Sequence, residues 1–183
     1  MLYIMRHGRT DWNDRHKLQG RTDIPLNEEG RRMAARAAVD YGEIHLDACW
    51  SSPLLRARET AEIFLRGRNI PLRTDDRLRE MSFGAYEGTE NVLSKPYLPV
   101  SMIFLHPEEY RQSVGGAETF EELFARTGEF LREIVHPMLA GGKDILIVGH
   151  GAMNLSMISL VRNLPRKDFW SPAMENCKLI RLI

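Results

Sequence analysis

Two short apolar runs, residues 2–5 and 145–148, lie near opposite ends of the chain. Runs this brief with polar neighbours read as buried strands of a parallel sheet. A third, residues 46–50, carries Cys49 and Trp50 and reads the same way; a last one at 179–183 is weaker. Between them the period changes from two to 3.6. Asn27, Glu28 and Glu29 open one helical pattern as cap and acidic first turn, and Gly42 closes it. Ser51-Ser52-Pro53 introduces a second, running to about residue 65. Thr119 and Glu122 form a capping box ahead of Phe120, Leu123, Phe124, Thr127, Leu131 and Ile134 at helical spacing. A further helix is expected over 152–162, with Pro165 beyond its end. Strands alternating with helices predict an α/β protein, a three-layer α/β/α sandwich with a mainly parallel sheet. Residues 89–116 break the alternation. They hold Pro96, Pro99 and Pro107 and end in Gly115-Gly116, and are expected to form an irregular or partly helical insertion over the active site.

A chain of 183 residues suits one domain spanning 1–183. Formal net charge is zero, so nothing global draws nucleic acid or an anionic membrane. An anionic ligand would need local positive charge. Two cysteines, Cys49 and Cys177, supply neither a disulfide framework nor metal-ligand spacing. No secretory pattern leads the chain, and no apolar run approaches membrane-spanning length. A cytoplasmic protein is expected. Nothing in the pattern predicts an oligomer.

Two of the apolar runs end in residues that can carry chemistry. Residues 2–5 run into Arg6-His7-Gly8, and residues 145–148 into Gly149-His150-Gly151. Open α/β sheets bind ligands outside the carboxyl ends of their strands, so both imidazoles are expected over one pocket. Phosphate-ester hydrolysis needs a nucleophile in line with the leaving oxygen, fixed positive charge on the equatorial oxygens and an acid for the departing alkoxide. His7 is the candidate nucleophile, because a neutral imidazole attacks without first losing a proton. Arg6 and Arg56 offer planar donor forks for phosphate. The helix start near Arg56 would add partial positive charge, and His150 can donate to a phosphate oxygen. Glu80 is the candidate acid, its protonated form favoured by a nearby dianion. Gly8 and Gly151 are expected to let backbone approach the ligand, and Asn13 is a candidate neutral donor.

At these residues the sequence resembles the histidine phosphatase superfamily, the phosphoglycerate-mutase-like fold. The matching stretches are Arg6-His7-Gly8-Arg9-Thr10-Asp11-Trp12-Asn13, Leu18-Gln19-Gly20-Arg21-Thr22-Asp23-Ile24-Pro25-Leu26, Ser51-Ser52-Pro53-Leu54-Leu55-Arg56-Ala57, Leu78-Arg79-Glu80-Met81-Ser82-Phe83-Gly84-Ala85-Tyr86-Glu87-Gly88 and Val148-Gly149-His150-Gly151, in the family's order. The resemblance implies His7 as phosphate acceptor, Glu80 as proton donor, and Arg6, Arg56 and His150 as the phosphate pocket. It adds Asn13, Gln19 and Thr10 as phosphate or substrate contacts, and implies no metal and no cofactor. Arg9 stands where Glu or Gln is common, and Leu155 where many relatives carry arginine. The short length resembles the phosphatase branch more than the longer mutases.

The expected activity is therefore metal-independent hydrolysis of a small phosphorylated metabolite through phosphohistidine. The alternatives are mutase-type phosphoryl transfer and a non-catalytic phosphate- or phosphoprotein-binding module. A metal on His7, His150 and Glu80 is disfavoured by the neighbouring arginines. His16, His45, His106 and His136 read as structural or surface residues. The sequence names no substrate.

Overall fold

The structure, a computed structural model, describes residues 1–183. Its five-stranded sheet has the order β3-β2-β4-β1-β5. The strands are β1 (Leu2–Arg6), β2 (Ala48–Ser51), β3 (Leu72–Thr74), β4 (Ile145–Gly149) and β5 (Leu179–Arg181). The first four are mutually parallel, and β5 lies antiparallel on the β1 edge.

Side-chain alternation sorts the strand residues into two cores. Leu2, Ile4, Ile145 and Ile147 face one apolar cluster, which takes in α5 (Phe120–Phe130) and α7 (Gly151–Arg162). Tyr3, Met5, Leu146 and Val148 face the other, against α2 (Glu28–Asp40) and α3 (Leu55–Phe64). Helices thus cover both faces. β1 and β4, buried on both sides, are accordingly apolar at nearly every position.

The capping signals act as expected. Asn27 accepts from the Gly30 amide at 2.9 Å, and Thr119 and Glu122 close a reciprocal box. Other boundaries differ. Ser51 belongs to β2, and Ser52-Pro53 is a turn rather than a helix start: the Ser52 hydroxyl accepts from the Leu54 amide, and α3 begins only at Leu55. The third apolar run enters the sheet two residues late, at Ala48. After Phe130 the long helix widens into a π turn over Leu131–Val135 before α6 (His136–Ala140). Pro137 lacks the amide that an uninterrupted α-helix would use there. β3 and the four-residue helix α1 (Asp11–Asp14) are additions that the hydrophobic pattern is too short to show. Residues 89–116 are indeed partly helical. They contain 3-10 turns at Val92–Ser94 and Pro99–Ser101 and one helix, α4 (Met102–Leu105). No helix is long and apolar enough to cross a membrane.

Candidate active site

The register Arg6↔Gly149 aligns the carboxyl ends of β1 and β4. His7 and His150 are the next residues on these neighbouring strands, and their ring centroids lie 5.2 Å apart at 60°. Two histidines 143 positions apart in sequence are therefore brought together by sheet pairing.

His7 has a defined tautomer. Its Nδ1 lies 2.6 Å from the Gly8 carbonyl, which can only accept, so Nδ1 carries the proton. Nε2 keeps its lone pair, and the Arg56 Nε–H donates to it at 3.3 Å. Burial, then the Arg56 and Arg6 guanidiniums, hold the ring well below the usual histidine range. His150 is pushed down in the same way by burial and by Arg56, His7 and Arg6. Neither of its nitrogens has a protein partner.

Arg56 is wholly buried, and its two terminal nitrogens donate to the carbonyls of Thr22 and Gly20 at 2.9 and 2.6 Å. This leaves its Nε edge turned to His7. The loop that supplies those carbonyls is itself fastened by Glu87, whose carboxylate accepts from the Arg21, Thr22 and Phe83 amides. Arg6 donates one terminal nitrogen to the Met174 carbonyl at 2.8 Å, and its buried Nε has no partner. Burial lowers the pKa of both arginines, and the Glu80 carboxylate opposes this.

Glu80 caps α7. Its oxygens accept from the Met81, Ala152 and Met153 amides at 2.9, 3.2 and 2.9 Å, so the positive end of that helix meets a carboxylate. The segment that carries Glu80 has no regular structure of its own. It is tied down by Arg126 on α5, which donates to the carbonyls of Arg77, Arg79 and Glu80 and pairs with Glu118 at 2.6 Å. Arg21 reaches the same Glu80 carbonyl and the same Glu118.

These groups surround a cavity of about 350 Å³. Arg6, His7, Arg56, Glu80, Asn13, Gln19 and Gly151 line it. His150 is fully buried and sits beside His7 rather than on the cavity surface. Other expectations need correction. Gly8 does not border the cavity: a Cβ there would fall 2.5 Å from the Gly30 carbonyl oxygen, so its bareness serves packing against α2. Thr10 is buried and not in the cavity wall; it caps α1, its hydroxyl directed at Asn13 Oδ1 and Gln19 Oε1. The first amide of α3, at Leu55, is taken by Asp23, so that helix start offers it to no anion. Arg9 pairs with Asp14 outside the cavity. Sequence reasoning missed Arg126 and Glu118, and nothing in their spacing marks a clamp on a loop that lies 46 to 49 residues before Arg126. It also missed Trp170 as a wall residue.

A model of the histidine phosphatase superfamily (branch 1) matches residues 2–183. The chain belongs to the histidine phosphatase superfamily. Among relatives, a probable phosphoglycerate mutase GpmB of Escherichia coli O1:K1 / APEC is 31% identical, over 99% of this chain and 83% of that protein. The 2,3-bisphosphoglycerate-dependent phosphoglycerate mutase of Cytophaga hutchinsonii is 28% identical, over 82% of this chain and 72% of that one. Among solved structures, Bacillus stearothermophilus YhfR superposes with a TM-score of 0.86 at 32% identity, covering 97% of this chain and 88% of its own. The mycobacterial glucosyl-3-phosphoglycerate phosphatase Rv2419c gives 0.84 at 27%, covering 97% and 90%. Superfamily membership thus reaches both phosphatases and mutases.

Proposed function

We propose that the protein is a metal-independent phosphatase acting on a small phosphorylated metabolite through a phosphohistidine at His7. The observation that carries this reading is the fixed neutral tautomer of His7, its Nε2 lone pair met by the Arg56 Nε–H, with unpartnered buried nitrogens on Arg6 and on the neighbouring His150. In the first step Nε2 attacks phosphorus and the P–O ester bond breaks. Its electron pair goes to the leaving oxygen, which takes a proton from Glu80. Arg6 and Arg56 hold the equatorial oxygens: Arg6 is anchored through one terminal nitrogen and Arg56 through two, and the Arg56 Nε–H passes from His7 Nε2 to the phosphate as Nε2 attacks. In the second step the Glu80 carboxylate takes a proton from water, the hydroxide attacks phosphorus, and the P–N bond breaks back to Nε2. The sum is ester plus water to alcohol plus phosphate. Charge stabilisation comes from fixed cations, and two arginines in the cavity leave it ill suited to a metal ion.

Rapid quenching with ³²P-labelled substrate in the presence of chelator tests this. Label should stay on the protein as an acid-labile, alkali-stable adduct. His7→Ala should lose the adduct and on the order of 10³-fold or more in turnover. Unchanged turnover in that variant removes His7 as nucleophile.

The relatives favour a second reading, phosphoryl transfer between hydroxyls of one substrate. The cavity supports hydrolysis better. Besides the two phosphate-facing arginines its only cation is Lys17, already 3.6 Å from Glu90, so little remains to hold a second anionic group. Efficient conversion of 3- to 2-phosphoglycerate with a bisphosphate primer would reverse the choice.

A further inference from the structure

The cavity has two unlike halves. Its floor is the charged set of Arg6, His7, Arg56 and Glu80. Much of the rest of its lining is an apolar wall, built by Leu18, Phe83, Phe104, Leu155, Trp170 and Met174. Three of these are aromatic and form a continuous surface. Phe83 and Phe104 have centroids 5.5 Å apart, Phe104 and Trp170 5.0 Å, each pair inclined at 33°. Such tilted contacts join the three rings into one aromatic patch. The wall is also fixed. The indole Nε1–H of Trp170 donates to the Ile103 carbonyl at 2.8 Å, which joins α4 to the segment after α7 and uses the one polar atom of that ring. Phe169 supports Trp170 from behind at 4.9 Å, itself backed by Phe120. Of residues 89–116 only Phe104 borders the cavity.

With the phosphate held by the charged set, the alcohol of the ester has the rest of the cavity, and so this apolar lining, to occupy. We infer that the protein selects phosphomonoesters whose alcohol carries an uncharged, flat apolar or aromatic group, seated on the Phe83–Phe104–Trp170 wall. The inference deepens the hydrolase reading and rests on it. Four features select the class. The wall offers three aromatic rings for an apolar group to pack on. None of its six side chains offers a free donor for a sugar hydroxyl; the cavity's two amide side chains, Asn13 and Gln19, lie outside this wall and are tied through their oxygens to Thr10. Lys17, engaged by Glu90 and 5.7 Å from the Trp12 ring centroid, is the only cation beyond the floor. The volume, near the lower end of about 300–1,000 Å³ for small-molecule pockets, suits one or two fused rings beside the phosphate. Phe104 and Trp170 are then the specificity-determining residues.

The test compares 2-phenylethyl phosphate with ethyl phosphate, two alkyl esters that differ chiefly by the ring. The phenyl ester should be favoured in kcat/KM by on the order of tenfold or more. Phe104→Ala should shrink that ratio to within about twofold, the milder Phe104→Leu should leave an intermediate ratio, and circular dichroism checks that both variants fold. Equal kcat/KM for the two esters, or a preference for 3-phosphoglycerate over both, overturns the inference and leaves the hydrolase reading standing. The matched phosphonates, 3-phenylpropylphosphonate and propylphosphonate, measured by calorimetry, separate binding from chemistry. Tighter binding of the phenyl compound with no ester turned over refutes hydrolysis but keeps the wall. No binding preference refutes the wall whatever the turnover.

Discussion

At the scale of single residues, the protonation of His7 decides what the site can do. A histidine beside two guanidiniums in a buried pocket is a poor base, and its partners lower it further. This is useful in a nucleophile, because the neutral form attacks and the protonated form cannot. The Gly8 carbonyl then selects which nitrogen stays free. Heteronuclear NMR of the free enzyme should therefore show His7 as the neutral Nδ1–H tautomer across pH 7.5 to 6, with no titration at the ordinary histidine value of about 6.5. A His7 midpoint near that value would contradict the buried, cation-flanked setting. The same logic makes His150 a donor that acquires positive charge only when a dianion sits beside it. Adding vanadate should raise the His150 midpoint relative to the free enzyme, and an unchanged midpoint would remove His150 from the phosphate cradle.

At the scale of elements, Arg6, His7, Arg56 and His150 sit at the ends of regular structure, and Glu80 lies in a segment that has none. Those ends were unequally legible. His7 and His150 could be read because apolar runs ending in glycine and histidine are strong local signals, and parallel pairing then does the rest. Arg56 could be read only through its matching motif, since its approach to His7 depends on where α3 begins, and Ser52-Pro53 pointed two residues too early. Glu80 lies in a stretch without periodicity, and what holds it comes from α5, beyond any local window. That support has a measurable consequence. Arg126 gathers three carbonyls of the Glu80 segment and a Glu118 carboxylate that is 7% exposed. Glu118→Gln keeps the shape but removes the charge that orients the guanidinium. Glu80 would lose its alignment with the leaving oxygen, and the loss should depend on how much that oxygen needs a proton. Turnover of an alkyl phosphate should fall by on the order of 10²-fold, against less than about tenfold for p-nitrophenyl phosphate, whose leaving group departs unprotonated. Equal losses on both would mean that Glu118 supports the fold and not the acid.

At the scale of the whole molecule, the sheet accepts a cost to bring its functional ends together. His7 and His150 are buried as neutral bases at the junction of β1 and β4, with Arg6 and Arg56 beside them and Glu80 the carboxylate opposing both arginine shifts. In the unfolded chain both histidines are free to protonate at about pH 6.5; in the folded protein both resist it. Below that pH the unfolded state binds more protons, so the sign is fixed: stability is retained above about 6.5 and lost as pH falls below it. Two such groups give a slope of up to about 2.7 kcal/mol per pH unit, a large share of the roughly 5–15 kcal/mol that holds a typical domain together. Urea midpoints measured at pH 7.5, 6 and 5 should therefore drop steeply across the acid interval. A His7→Gln/His150→Gln double variant should lose most of that slope whatever its stability at neutral pH, because it removes the groups that protonate on unfolding. If the double variant keeps the wild-type slope, the acid sensitivity comes from carboxylates elsewhere, and the two imidazoles are not held neutral by the fold. Saturating inorganic phosphate should weaken the slope in the wild type, since a bound dianion lets the folded state take up protons that it otherwise refuses.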